Sequence, residues 1–237
     1  MRKVLSRLLD AVMPPLCPYC DGLVAAHGQL CAACWNKFNW IGDPKCDICG
    51  YPFPANIHGD KKLMCPVCAA GKNELDWLRS ACVYDDVSKN IMLPFKHAGR
   101  LQYKTLMARA MISALRGHPE FDVVMPVPLA NRRLWKRGYN QAAILAKIIA
   151  RDFQRPVDYD SVRRAHRPDM GHKNAAARAA NIRGVFTVAG NVRGLRILLV
   201  DDVMTTGATF SELRRVLKRA GAAAVYGVSF CRVVRAI

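Results

Sequence analysis

No apolar run in this 237-residue sequence approaches the length needed to cross a bilayer, so no membrane span is expected. An export signal is also missing: Arg7 and Asp10 interrupt the apolar residues behind Met1-Arg2-Lys3 before a signal-type core can form. Val4, Leu5, Leu8, Leu9 and Val12 instead share one face of a short amphipathic helix, expected to dock on the body of the protein. Without export the chain is expected in the cytoplasm, where reducing conditions disfavour disulfides. Low-complexity tracts are absent and nothing repeats beyond four cysteine pairs, which excludes a solenoid. Acidic residues are scarce in one half only. Residues 1–75 hold eight Lys/Arg against six Asp/Glu, whereas residues 76–237 hold twenty-eight against twelve. That surplus exceeds what solubility requires and suits a phosphate-rich partner, either a phosphorylated small molecule or nucleic acid.

Eight of the ten cysteines fall in Cys-x-x-Cys pairs: Cys17/Cys20, Cys31/Cys34, Cys46/Cys49 and Cys65/Cys68. The two-residue spacing lets both sulfurs of a turn reach one tetrahedral Zn²⁺, and two such turns close a structural site with no open position. Two structural Zn²⁺ ions are therefore expected. Sequential pairing leaves ten and fifteen residues between pairs, a double zinc ribbon; a cross-braced arrangement fits the spacing equally. Eight thiolates on two Zn²⁺ bring this region to about −2, so the ribbon is not an obvious electrostatic clamp for DNA. Trp35, Phe38 and Trp40, with Trp135 and Tyr139 of the second domain, are candidate stacking surfaces for bases; the three near the knuckles serve alternatively as the small core of the ribbon. Cys82 and Cys231 lie in apolar, strand-like runs and read as inert core. The polar stretch Ala69 to Leu75 marks the boundary, giving a helix and ribbon over residues 1–75 and a second domain over 76–237.

The second domain alternates strand-like and helix-like segments. Strands are expected over Trp77–Tyr84, Phe121–Pro126, Arg196–Val200 and Val225–Val233, and helices over Leu101–Arg116, Asn140–Asp152 and about Ala208–Gly221. Such alternation implies βαβ units in a mostly parallel sheet, whose ligands bind at the carboxyl ends of strands. One such end reads Ile197-Leu198-Leu199-Val200-Asp201-Asp202-Val203-Met204-Thr205-Thr206-Gly207-Ala208-Thr209. A strand ending in acids, followed by a hydroxyl-rich glycine turn that opens a helix, can surround a phosphate with N–H groups and hydroxyls.

This run resembles the PRPP-binding motif of type I phosphoribosyltransferases. The resemblance implies that Asp201 and Asp202 take the ribose 2′ and 3′ hydroxyls as catalytic-site residues. It implies further that Thr205, Thr206, Gly207, Ala208 and Thr209 cradle the 5′-phosphate and that Mg²⁺ accompanies PRPP. After the strand ending at Pro126, four cations fall within six residues: Arg132, Arg133, Lys136 and Arg137. Across the crevice they are expected to hold the pyrophosphate. The polar segment Asp160 to Arg183, with Arg163, Arg164, Lys173 and Arg178, reads as a long loop, either functional or disordered; the resemblance to these transferases implies a lid over the site there, and its cations make it a candidate nucleic-acid contact.

The four knuckles, Phe95-Lys96-His97-Ala98-Gly99-Arg100, the stretch from Pro126-Val127-Pro128-Leu129 to Arg137-Gly138-Tyr139-Asn140-Gln141-Ala142, and Arg178-Ala179-Ala180-Asn181-Ile182-Arg183-Gly184-Val185-Phe186 together look like the ComF (competence protein F) family. The match departs at Arg167, where many members carry threonine. The resemblance implies an α/β fold: a type I phosphoribosyltransferase-like, mostly parallel sheet flanked by helices, preceded by a small double zinc-ribbon module. It also implies a PRPP-binding protein that handles single-stranded DNA during uptake, beside other competence proteins. The alternative is an active transferase that passes ribose 5-phosphate to a nitrogenous base. With no further hood expected beyond Ile237, acceptor choice would then fall to the zinc module or to Lys96 to Arg100.

Overall fold

The computed structural model describes residues 14–57, 62–71, 76–97, 99–130, 134–135, 137–165 and 181–234. A four-stranded parallel sheet runs in the order β1 (Trp77–Val83), β6 (Ala224–Arg232), β5 (Arg196–Met204), β2 (Val123–Pro126). Val123 pairs with Ile197, Ile197 with Val225, and Trp77 with Tyr226, so the carboxyl ends of all four strands form one rim. Side chains alternate across the sheet, and here both faces are covered, which is why Ile197 to Val200 are wholly buried. Leu198, Val200, Val228 and Phe230 pack with helices α1 (Asp86–His97), α2 (Lys104–Ala114) and α3 (Gln141–Asp152). Ile197, Leu199 and Val225 pack with α4 (Ala208–Arg219) and with an antiparallel hairpin of β3 (Val162–Arg164) and β4 (Phe186–Val188).

Most elements lie where the sequence pattern puts them. β5, however, runs past Val200 through both acids to Met204, because its ladder with β6 continues from Asp201–Ser229 to Met204–Arg232. Helix α1 was not expected, since Pro94 sits inside it and masks the helical period. Its start is nevertheless encoded: the Ser88 amide donates to Asp85 Oδ1 at 2.9 Å and the Asp85 amide donates to Ser88 Oγ at 2.8 Å, a reciprocal cap. The β3–β4 hairpin replaces part of the expected loop. Its strands are three residues long, too short to show alternation.

The ribbon is docked on the outer edge of β1. Ile41 N–H donates to Ala81 O at 2.9 Å and Val83 N–H donates to Asn39 O at 2.8 Å, an antiparallel pairing centred on Trp40 and Cys82. Trp40 stacks between Trp35 and Phe38, with ring centroids 4.4 and 4.9 Å away; Phe38 and Trp40 join the core of the body beside Cys82 rather than forming a separate ribbon core, and Trp35 stays exposed. Cys82 and Cys231 are fully buried and adjacent in the β1–β6 register, and burial pushes both thiols up from their ordinary value. Among the described residues no helix is long and apolar enough to cross a membrane.

Gly227 sits in the middle of β6 beneath α4. A Cβ there would lie 2.9 Å from Phe210 Cε1 and 3.0 Å from Leu78 Cδ1, so the absent side chain is what lets the helix approach. Overpacking a fixed core costs about 1–3 kcal/mol. Gly227→Val is expected to lower the thermal midpoint by several degrees while leaving zinc content unchanged, as read by thermal unfolding and metal analysis.

Candidate functional site

The cysteines settle into two groups. Sulfurs of Cys17, Cys20, Cys31 and Cys34 lie within 4.8 Å of one another, and those of Cys46, Cys49, Cys65 and Cys68 likewise. The pairing is therefore sequential, and the cross-braced arrangement does not occur. Cys20 and Cys31 Sγ are 3.6 Å apart, as are Cys49 and Cys65 Sγ. A tetrahedron of Zn–S bonds about 2.3 Å long needs sulfurs about 3.8 Å apart, so both tetrads fit a closed structural Zn²⁺ site. Hydrogen bonds from the Cys49 thiol and from the backbone N–H groups of Cys49, Cys65 and Ile48 hold the Cys46 thiol well below its ordinary value.

A separate cavity of about 410 Å³ opens at the carboxyl rim of the sheet. Val127, Pro128 and Leu129 leave β2 along one wall, and Asp201 through Phe210 form another. Gly207 makes the turn between β5 and α4 with φ +78°, a left-handed conformation that glycine adopts without strain. Thr206 Oγ1 accepts from the Ala208 N–H at 3.4 Å, and the first turn of twelve-residue α4 opens on the cavity with its unsatisfied N–H groups and positive dipole end. Both acids line the same space. Asp202 is buried and its Oδ1 lies 3.0 Å from Lys96 Nζ; Asp201 is partly buried, and its Oδ1 accepts from the Asp202 N–H at 2.8 Å. Burial, reinforced by the Asp202 charge and opposed by Lys96, pushes Asp201 up to about 7.

Lys96 is the site residue that sequence reading placed elsewhere, as a selector of an acceptor rather than a partner of the acids. It lies at the end of α1, and the run Tyr139-Asn140-Gln141 fixes it there. The Tyr139 hydroxyl donates to Phe95 O, Gln141 Nε2 donates to Lys96 O at 3.2 Å, and Asn140 Nδ2 donates to Val127 O at 3.1 Å. Two of these bonds satisfy carbonyls that the end of a helix leaves orphaned. Asn140 also caps α3 as expected, accepting from Ala142 N–H at 3.0 Å. Tyr139 is thus engaged with Phe95 rather than offered for stacking, whereas Trp135 is 89% exposed.

Of the expected pyrophosphate cations, Arg137 lines the cavity and donates to Gln141 Oε1 at 3.2 Å. Arg132, Arg133 and Lys136 lie outside the described residues, as do Lys173 and Arg178. Arg164 and Asn181, at the two ends of the expected lid, also line the cavity, and Arg163 points to solvent from β3.

With this geometry in view, comparison with known proteins is direct. A double zinc ribbon domain matches residues 8–69 and a phosphoribosyl transferase domain matches residues 139–235. The chain is a phosphoribosyltransferase-domain protein with a double zinc ribbon in front. It is 28% identical to the DNA utilization protein YhgH of Salmonella typhi, over 94% of this chain and 99% of that protein. It is also 28% identical to competence protein F of Haemophilus influenzae (86% of this chain, 91% of that one) and to competence protein ComFC of Bacillus subtilis (85% and 83%). Over most of its length the chain is similar to these proteins of competence and DNA utilization.

The raised Asp201 carboxyl has a measurable consequence. A group whose folded value lies above its unfolded one, near 3.8, stabilises the fold at low pH and loses that contribution as pH rises through about 7. Asp201→Asn keeps the acceptor for the Asp202 amide and removes the charge. At about 1.4 kcal/mol per unit, it is expected to stabilise the protein by about 2–4 kcal/mol at pH 8, with the gain shrinking toward pH 4. Thermal melts of both proteins across that range provide the check, and a gain that does not vary with pH contradicts the assignment.

Proposed function

We propose that this protein binds PRPP in the rim cavity and uses it in handling single-stranded DNA in the cytoplasm. One observation carries the reading: two adjacent carboxylates at the end of β5 share a cavity with a left-handed glycine turn at the start of α4. In this reading Asp201 and Asp202 accept hydrogen bonds from the ribose 2′ and 3′ hydroxyls. Thr205 through Thr209 enclose the 5′-phosphate with hydroxyls and helix N–H groups. Arg137, which lines the cavity, takes the pyrophosphate, the role the sequence pattern also assigns to Arg132, Arg133 and Lys136.

Mg²⁺ would reach the site on PRPP, neutralising pyrophosphate oxygens and keeping several waters of its own. The protein's part is to position the sugar and exclude solvent. Lys96, paired with Asp202 at 3.0 Å, holds that carboxylate in place, so that the acid pair is ready to receive a diol. Support for the nucleic-acid half comes from the charge surplus of residues 76–237, from exposed Arg163 and Trp135, and from relatives named for DNA utilization and competence.

Titration of Mg²⁺-PRPP by calorimetry tests the sugar half, with Asp201→Asn/Asp202→Asn as control. Binding by the native protein and its loss in the folded double variant are expected; unchanged affinity in the variant refutes the assignment. Because the ionised acid is the better acceptor, affinity should rise from pH 6 to pH 8 as Asp201 loses its proton near 7. Pyrophosphate release on adding any nucleobase would identify an active transferase. For the DNA half, affinity for a random single strand should fall steeply with salt, by about 0.7 log units per decade for each phosphate contacted, and a flat response removes this role.

A further inference from the structure

The second cysteine tetrad and the strand end that leads into the phosphate turn meet at one residue. Arg232 ends β6 and is 6% exposed. Its Nη1 donates to Cys49 O at 2.6 Å and stands 3.9 Å from Cys49 Sγ, and its guanidinium lies 5.3 Å over the Tyr51 ring. Its Nε has no hydrogen-bond partner, and among the described residues the guanidinium makes no ion pair with a carboxylate. A buried guanidinium needs a compensating negative charge. Four thiolates around one Zn²⁺ carry a net charge of about −2, and Cys49 presents that charge to Arg232.

The backbone of the same residue reaches the other site. Arg232 pairs with Met204 in the β5–β6 ladder, and the next amide, Val233 N–H, donates to Met204 O at 2.8 Å. Met204 is followed directly by Thr205 of the turn. The first tetrad makes a different kind of contact: beside it Tyr19 meets the body through a neutral hydrogen bond from Asn90 at 3.2 Å.

We propose that Arg232 is the counter-cation of the second metal centre and ties that centre, but not the first, to the phosphate turn. Loss of the second zinc strands a buried charge at the end of β6 and loosens the strand that holds Met204. The sugar-phosphate half of this inference rests on the PRPP reading above; the metal half does not.

The test uses the full zinc-loaded chain and a chelating dye that reports zinc release. Two phases are expected, a fast one from the first centre, where Cys20 is exposed, and a slow one from the second. Cys20→Ser should remove the fast phase and so assign it. Arg232→Met should accelerate the slow phase by about tenfold or more and leave the fast one alone, whereas Arg232→Lys, which keeps the charge, should retain most of the slow release. Release of both zincs at native rates from folded Arg232→Met protein overturns the proposal.

Should Arg232→Met not fold, the native protein still decides the matter. Mg²⁺-PRPP affinity should survive loss of the first zinc and disappear with the second, and affinity that persists after both are gone overturns the link. Absence of PRPP binding at every stage defeats the PRPP reading, and Arg232→Lys release kinetics then decide the counter-cation role by themselves: release as slow as native protein upholds it, and release of the second zinc as fast as the first overturns it.

Discussion

Two neighbouring carboxylates at the inner end of a buried strand repel one another and are poorly solvated, so the arrangement at Asp201 and Asp202 persists only with a cation placed against it. Lys96 is that cation. Its position is fixed less by the acids than by where α1 stops. The helix closes on a basic turn, where positive charge meets the negative end of the dipole, and the carbonyls of Phe95 and Lys96 are taken up by Tyr139 and Gln141. Three sequence segments far apart in the chain therefore converge on one ion pair. An acid left unbalanced beside it stays partly protonated near neutrality, a strain on the fold that suits a group awaiting a ligand.

How much of this was legible in the sequence depends on the length scale of each signal. The four buried strands and the phosphate-turn helix carry periodicity or unbroken apolar runs, and they lie within a few residues of expectation. The two tetrads were visible from spacing, although their pairing was not, because intervening lengths of ten and fifteen residues permit either topology. Helix α1 was hidden by Pro94, even though Asp85 and Ser88 mark its first turn. The hairpin was hidden because three-residue strands have no period to detect.

At the site itself, local chemistry was readable and distant geometry was not. Asp201, Asp202 and the Thr205–Thr209 turn sit together in one stretch of sequence and share one cavity in the fold. Lys96 is more than a hundred residues away, and no pattern announces that it meets Asp202. Asn140 was legible as a cap, yet its second bond to Val127 O, and the parallel roles of Tyr139 and Gln141, depend on α3 packing against the end of α1. Arg232 looked like one more basic residue in a basic domain, and only its burial beside Cys49 sets it apart.

The position of the ribbon on β1 bears on how the polypeptide is made. β1 is an outermost strand, and a bare outermost strand is a template for sticking to other molecules. Its inner neighbour comes late: Ser80 and Ser229, whose hydroxyls meet at 2.7 Å, are 149 positions apart. At a synthesis rate of about 5–20 residues per second, β1 waits roughly 7–30 seconds on the ribosome before that neighbour exists. The metal-binding segment emerges before either, so the one element already available to sheathe the strand is the element found covering it in the finished molecule.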